Sequence, residues 1–136
     1  MITKTELVKS GYDEAAQRYA SQRRVFEYVS YLTKLVDRLS VGSRILDIGC
    51  GSGVPIDQFL VSRGLRVTGI DFSPNQIALA KQNVPRAEFR VKDMLEIKDG
   101  QFKVAAVVSF YAIFHTPREC HKDLFARMNS FLPPGG

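Results

Sequence analysis

The sequence predicts an α/β fold, a parallel sheet with helices on both faces. Three observations carry this expectation. Short apolar runs at 44–48, 66–70, 87–91 and 104–108 alternate with segments whose apolar residues recur at helical spacing. The first run breaks into glycine at every second position, Gly49, Gly51 and Gly53, and a helical pattern follows from Pro55. The fourth run, Val104-Ala105-Ala106-Val107-Val108, is apolar throughout, as in a strand covered on both faces.

Taken in order, residues 5–20 carry a loose helical pattern in which Gly11 predicts a break. Residues 25–39 are clearer, with Val25, Phe26, Val29, Leu32, Leu35, Val36 and Leu39 on one helical face. Gly42 suits the stop. This helical preface, 1–41, would cap a core formed by 42–136. A strand at 44–48 leads through the glycine turn to a helix from about Pro55 to Arg63, closed by Gly64. A second strand stops at Asp71. Ser73-Pro74-Asn75-Gln76 is a capping box with proline at the first helical position, and that helix runs to about Asn83. The third strand, 87–91, ends before Asp93. Thr116-Pro117-Arg118-Glu119 reads as another capping box, opening a last helix with Leu124, Phe125, Met128, Phe131 and Leu132 on its apolar face.

The 136 residues suit a single domain with one core. At 45% hydrophobic and 24% charged the chain is not of disordered type. The net charge is +5, but the arginines and lysines are scattered, which disfavours a nucleic-acid partner. Cys50 and Cys120 form no CxxC pair, so neither a zinc site nor a disulfide framework is expected, and reduced thiols point to the cytoplasm. No apolar run approaches the roughly 18 residues of a spanning helix, and the start lacks an apolar signal core, so no membrane partner is expected.

In a parallel α/β sheet, ligands bind beyond the carboxyl ends of the strands, where the strand order reverses. Asp47, Asp71 and Asp93 fall at three such ends. Singly, each reads as a turn former or helix cap. Together they describe a polar crevice beside a bend without side chains, where backbone N–H groups and a helix end come close to a ligand. Asp71 offers two acceptor oxygens to a ribose diol. Asp93 can accept from an exocyclic amine of adenine, and Asp47 can orient the loop or balance an ammonium or sulfonium. A nucleoside with a cationic tail fits this set, whereas an acid two residues before the first glycine repels a pyrophosphate. The nicotinamide dehydrogenase alternative normally spaces its glycines GxGxxG, and the spacing here is GxGxG.

Leu46-Asp47-Ile48-Gly49-Cys50-Gly51-Ser52-Gly53 resembles the first motif of the class I S-adenosylmethionine-dependent methyltransferases. Val67 to Ser73 resembles their second-strand motif, Lys92-Asp93-Met94 their third, and Leu132 to Gly136 the turn before their fifth strand. Tyr12 to Tyr19 resembles the N-terminal helix of the small-molecule branch. The resemblance implies a Rossmann-like three-layer sandwich carrying the first four of seven strands under a helical lid. It also implies S-adenosylmethionine as cofactor and a small-molecule methyl acceptor. By the same resemblance Gly49, Gly51 and Gly53, with Cys50 in the turn, line the methionine portion. Asp71 holds the ribose, Phe72 and Met94 pack on adenine, Asp93 bonds its amine, and Ser109 and Phe110 follow the fourth strand beside the cofactor. Tyr12 and Tyr19 close over it. His115 is the candidate base, set against a histidine that merely bonds backbone at a helix start, and His121 is expected to face solvent. A cofactor-binding domain without catalysis is the further alternative. A chain ending in Pro-Pro-Gly-Gly also suggests a piece of a longer domain, whose bare fourth strand would drive self-association.

Overall fold

The computed structural model describes residues 2–9, 11 and 26–136. Residues 4–9 are helical, and so is Gly11 itself, where a break was expected. Most of the expected helix over 5–20 lies outside the described residues. Then come α1 (Phe26–Val36), β1 (Arg44–Ile48), α2 (Ile56–Ser62), β2 (Arg66–Asp71), α3 (Pro74–Asn83), β3 (Glu88–Val91), β4 (Ala106–Val108) and α4 (His121–Ser130). Single 3-10 turns form at Met94–Glu96, Ile113–His115 and Arg118–Cys120.

The four strands are parallel, in the order β3-β2-β1-β4. β1 therefore lies at the reversal, with β2 on one side and β4 on the other, and a crevice is expected beyond its C-terminal end. Strand alternation sorts the side chains into two layers of core. Ile45 and Val67 pack with Tyr28 and Leu32 of α1 and Ile56 and Leu60 of α2. Farther along the same face, Phe89 and Cys50 pack with Ile77 and Ala80 of α3. On the opposite face Leu46, Ile48 and Ile70 meet Leu124 of α4, Ile97, Phe102 and Phe131. Each of these aliphatic side chains contributes roughly 1.5–3 kcal/mol by burial. The three layers expected from the alternating pattern are thus present.

Three local expectations are corrected. β4 spans 106–108 rather than 104–108, because the Val104 N–H donates to the Phe131 carbonyl at 3.0 Å and leaves the ladder. Val107 and Val108 are half-buried, not covered on both faces, since β4 is the sheet edge among the described residues. Thr116 does not cap α4. Its hydroxyl donates backward to the Ile113 carbonyl at 2.6 Å, a 3-10 turn intervenes, and the helix starts at His121. On α4, Leu124 is buried as expected, while Phe125 is exposed.

Gly69 in β2 marks a close approach. A Cβ there would lie 2.7 Å from Phe89 Cδ1 and 2.8 Å from Cys50 Sγ. Gly69→Ala is expected to destabilise the chain by roughly 1–3 kcal/mol through overpacking. Urea unfolding checks this, and an unchanged midpoint would show that Phe89 can swing away freely.

Candidate functional site

Beyond the carboxyl ends of the strands lies a cleft. The turn after β1, the ends of β2 and β3 and the segment after β4 wall it. Thr5 and Val8 of the N-terminal helical residues also line it.

The turn is built for bareness. Gly49 and Gly51 line the cleft with φ of +73° and +58°, which disfavour any side chain. A Cβ on Gly49 would overlap the Cβ of Ala112, so the segment after β4 sits directly on the turn. The turn's amides point elsewhere than expected. Gly49 and Cys50 both donate to the Ile70 carbonyl, at 2.8 and 2.9 Å, and Gly53 donates to the Cys50 carbonyl at 3.2 Å. Gly51 donates to Asp71 Oδ2 at 3.0 Å. These four N–H groups are spent inside the protein, which leaves the turn few donors for a phosphate.

Asp71 closes β2, is 8% exposed and lines the cleft. Its Oδ1 accepts from Ser73 N–H at 2.9 Å while Oδ2 accepts from Gly51 N–H. A carboxylate has about four acceptor positions in all. The Ser73 bond has a consequence for α3. Ser73 Oγ accepts from Gln76 N–H at 3.2 Å, as a capping box requires. The reciprocal arm does not form, because the Ser73 N–H is already committed to Asp71. The Gln76 side chain instead lines the cleft, 1% exposed, and neither its Nε2 nor its Oε1 finds a partner among the described residues. Across the cleft Asp93 caps the 3-10 turn after β3, Oδ1 accepting from Leu95 N–H at 2.9 Å, with Oδ2 remaining as an acceptor. Phe72, Met94, Leu95 and Phe110 supply apolar wall.

His115 lines the cleft as expected. Burial disfavours its imidazolium, and Lys4 adds a like charge, so its pKa is held below the usual histidine value. His121 lies at the start of α4. Its Nε2 lies 3.2 Å from the Ile113 carbonyl and its ring is half-buried, which corrects the expectation of a solvent-facing side chain.

Four expected residues do not line the cleft. Asp47 is 2% exposed on the α1 and α2 face of β1, so two of the three carboxylates share the cleft rather than three. Cys50 turns into the α3 core, where burial first, then Asp57, Asp47 and Asp71, push its thiol well above the usual range and leave it unreactive. Gly53 is small for packing, since a Cβ would meet Val84 Cγ2 at 3.0 Å. Ser109 Oγ donates to the Ile48 carbonyl at 2.8 Å and ties β4 to β1. Tyr12 and Tyr19 lie outside the described residues. Sequence reasoning missed Gln76, hidden by its reading as half of a capping box. It also missed Tyr111, Lys92 and Ala112. Tyr111 holds φ of +56°, the sole positive value at a non-glycine among the described residues, and no local sequence signal announces that.

Gly49→Ala is expected to cost roughly 2 kcal/mol or more, from the left-handed backbone and the overlap with Ala112. Adding Ala112→Gly should restore the steric part and leave about 1–2 kcal/mol of backbone strain. Equal losses in the single and double variants, measured by urea unfolding, would show that the overlap is relieved elsewhere.

Comparison with known proteins places this geometry. The methyltransferase-domain family matches residues 45–136. The cyclopropane mycolic acid synthase MmaA2 of Mycobacterium tuberculosis is 33% identical over 101 residues, covering 72% of this chain and 35% of the relative. The 27-O-demethylrifamycin SV methyltransferase of Amycolatopsis mediterranei is 29% identical over 116 residues, 76% of this chain and 42% of the relative. This chain therefore spans less than half the length of these relatives. A solved S-adenosylmethionine-dependent methyltransferase from Geobacter sulfurreducens, in complex with S-adenosylhomocysteine, aligns with a TM-score of 0.59 and 30% identity over 79% of this chain and 45% of that one. With the sheet order, the glycine turn and the acids at the ends of β2 and β3, the match assigns the chain to the class I methyltransferase-domain family, whose cofactor is S-adenosylmethionine.

Proposed function

We propose that the cleft binds S-adenosylmethionine and that this chain is the cofactor-binding portion of an enzyme methylating a small molecule. The observation that carries the reading is Asp71. Its carboxylate is fixed by two backbone N–H groups, one of them Gly51's, at the mouth of a turn in which Gly49, Cys50 and Gly53 also donate within the protein. A site so equipped offers acceptors to hydroxyls and amines and has little to offer a pyrophosphate, which supports an adenosyl sulfonium over a dinucleotide. The buried Gln76 amide fits the same ligand, since it needs one donor and one acceptor from whatever fills the cleft.

When bound, S-adenosylmethionine supplies a methyl group already activated on sulfur. The chain's task is then to hold, orient and dry. Asp71 would take the ribose hydroxyls and Asp93 the adenine amine, with Phe72 and Met94 against the ring. Gly49 and Gly51 leave room for the methionine part. Thr5 and Val8 already cover one side, the place expected of a lid formed by the helical preface. His115, neutral at pH 7, can take a proton from an acceptor that carries one. The relatives are named for different products, so the acceptor itself is left open. Cys50 and Cys120 are both free thiols, which supports a cytoplasmic setting. No described helix is long and apolar enough to cross a membrane. The outer edge of β4 supports self-association of this chain, to be read by light scattering at high concentration, where a clean monomer would refute it.

Calorimetry with S-adenosylhomocysteine and with NAD tests the reading, and tighter binding of NAD would overturn it. Asp71→Ala should weaken S-adenosylhomocysteine binding by roughly 1–3 kcal/mol. An unchanged affinity would place the ribose elsewhere. For the base, the rate should hold above the lowered pKa of His115 and fall as pH drops through it, because protonation removes the acceptor. In His115→Gln that acid limb should vanish from the profile of kcat/KM. A limb that persists would assign it to another group.

A further inference from the structure

At the opposite end of the sheet, the topology gathers cations. Parallel strands start at the same edge, and here two of the four start with arginine. Arg44 and Arg66 open β1 and β2 and face each other in register. Arg86 precedes β3, Arg90 lies within it, and Lys103 precedes β4. All five line one open groove, with Glu88 as its single acid. That is five of the chain's 19 cations against one of its 14 acids. Glu88 is itself engaged, 3.4 Å from Arg90 in an exposed pair. Arg44, Arg66, Arg86 and Lys103 have no carboxylate within ion-pair distance among the described residues. Like charges set directly across neighbouring strands repel, and an anion lying between them relieves that repulsion.

We propose that this groove is a second ligand site, which takes a small multivalent phosphate anion. Adjacent strand starts lie about 4.8 Å apart, so guanidinium groups on them can bracket neighbouring phosphate oxygens with forked donors. The groove offers no exposed aromatic ring on which bases could stack, since its one ring, Phe102, is buried with Arg90 over its face at 6.0 Å. That argues against single-stranded nucleic acid as the occupant. Of its apolar lining, Leu65, Val67 and Phe102 are buried, which argues against insertion into a lipid surface. Along β1, five residues or roughly 16 Å separate Arg44 from the turn that walls the cleft, so an anion held between Arg44 and Arg66 is not the methyl acceptor. The inference therefore stands independently of the reaction.

Inorganic tripolyphosphate is the probe, titrated calorimetrically into the chain at low salt, with orthophosphate and a short single-stranded RNA in parallel. Tripolyphosphate should bind more tightly than either. Arg44→Gln with Arg66→Gln, and separately Arg86→Gln with Lys103→Gln, should each lose about ten-fold or more in affinity. Arg118→Gln with Lys122→Gln, outside the groove, should lose nothing. The two groove pairs act through different strands, so misfolding of one leaves the other informative. Equal affinities for tripolyphosphate and orthophosphate, tighter RNA binding, or losses as large in the outside pair would each overturn the proposal.

Discussion

The cleft depends on one carboxylate. Asp71 accepts from Gly51 on one side and Ser73 on the other, and so joins the turn after β1 to the start of α3. Bonds from N–H to an ionised acceptor are about twice as strong as neutral ones, and this group is nearly buried. Fixing the turn in this way holds Gly49 and Gly51 in left-handed conformations that leave the cleft floor bare. Committing the Ser73 N–H denies it to Gln76, whose side chain is released into the cleft. A structural bond at the end of β2 thus sets both the shape and the polar lining of the site.

Packing around the turn follows the same logic of close approach. Gly69 lets Phe89 and Cys50 come together over β2, Gly53 lets α3 come down on the turn, and Gly49 lets Ala112 seat on it. Each is a contact between segments distant in sequence. The turn is clamped from the α3 face and from the segment after β4, while Ser109 ties the end of β4 back to Ile48. The rigidity that an adenosyl site needs comes from these contacts rather than from the turn's own sequence.

Much of this was legible in the chain, for definite reasons. β1 and α3 end where the sequence placed them, because Arg44 to Ile48 is bounded by glycine and Ser73-Pro74 is a strong helix start. Asp71 and Asp93 were found because strand ends and turn glycines are local signals. Asp47 and Ser109 were misplaced because motif spacing does not say which face of a strand a side chain takes once the sheet is built. Thr116 failed as a cap because a hydroxyl can bond backward as readily as forward. Tyr111 and Ala112 were invisible, since their place depends on β4 lying beside β1 rather than beside β3.

The amide of Gln76 turns the cleft into a filter. A molecule of the right outline that brings neither a hydrogen to give nor a lone pair to take would strand two polar atoms in a dry place. Sites of this kind reject such mimics by factors of about 10⁴, far beyond what shape alone achieves. Discrimination among adenosyl-like metabolites would then reside in one uncharged side chain, set on a helix rather than in the glycine turn.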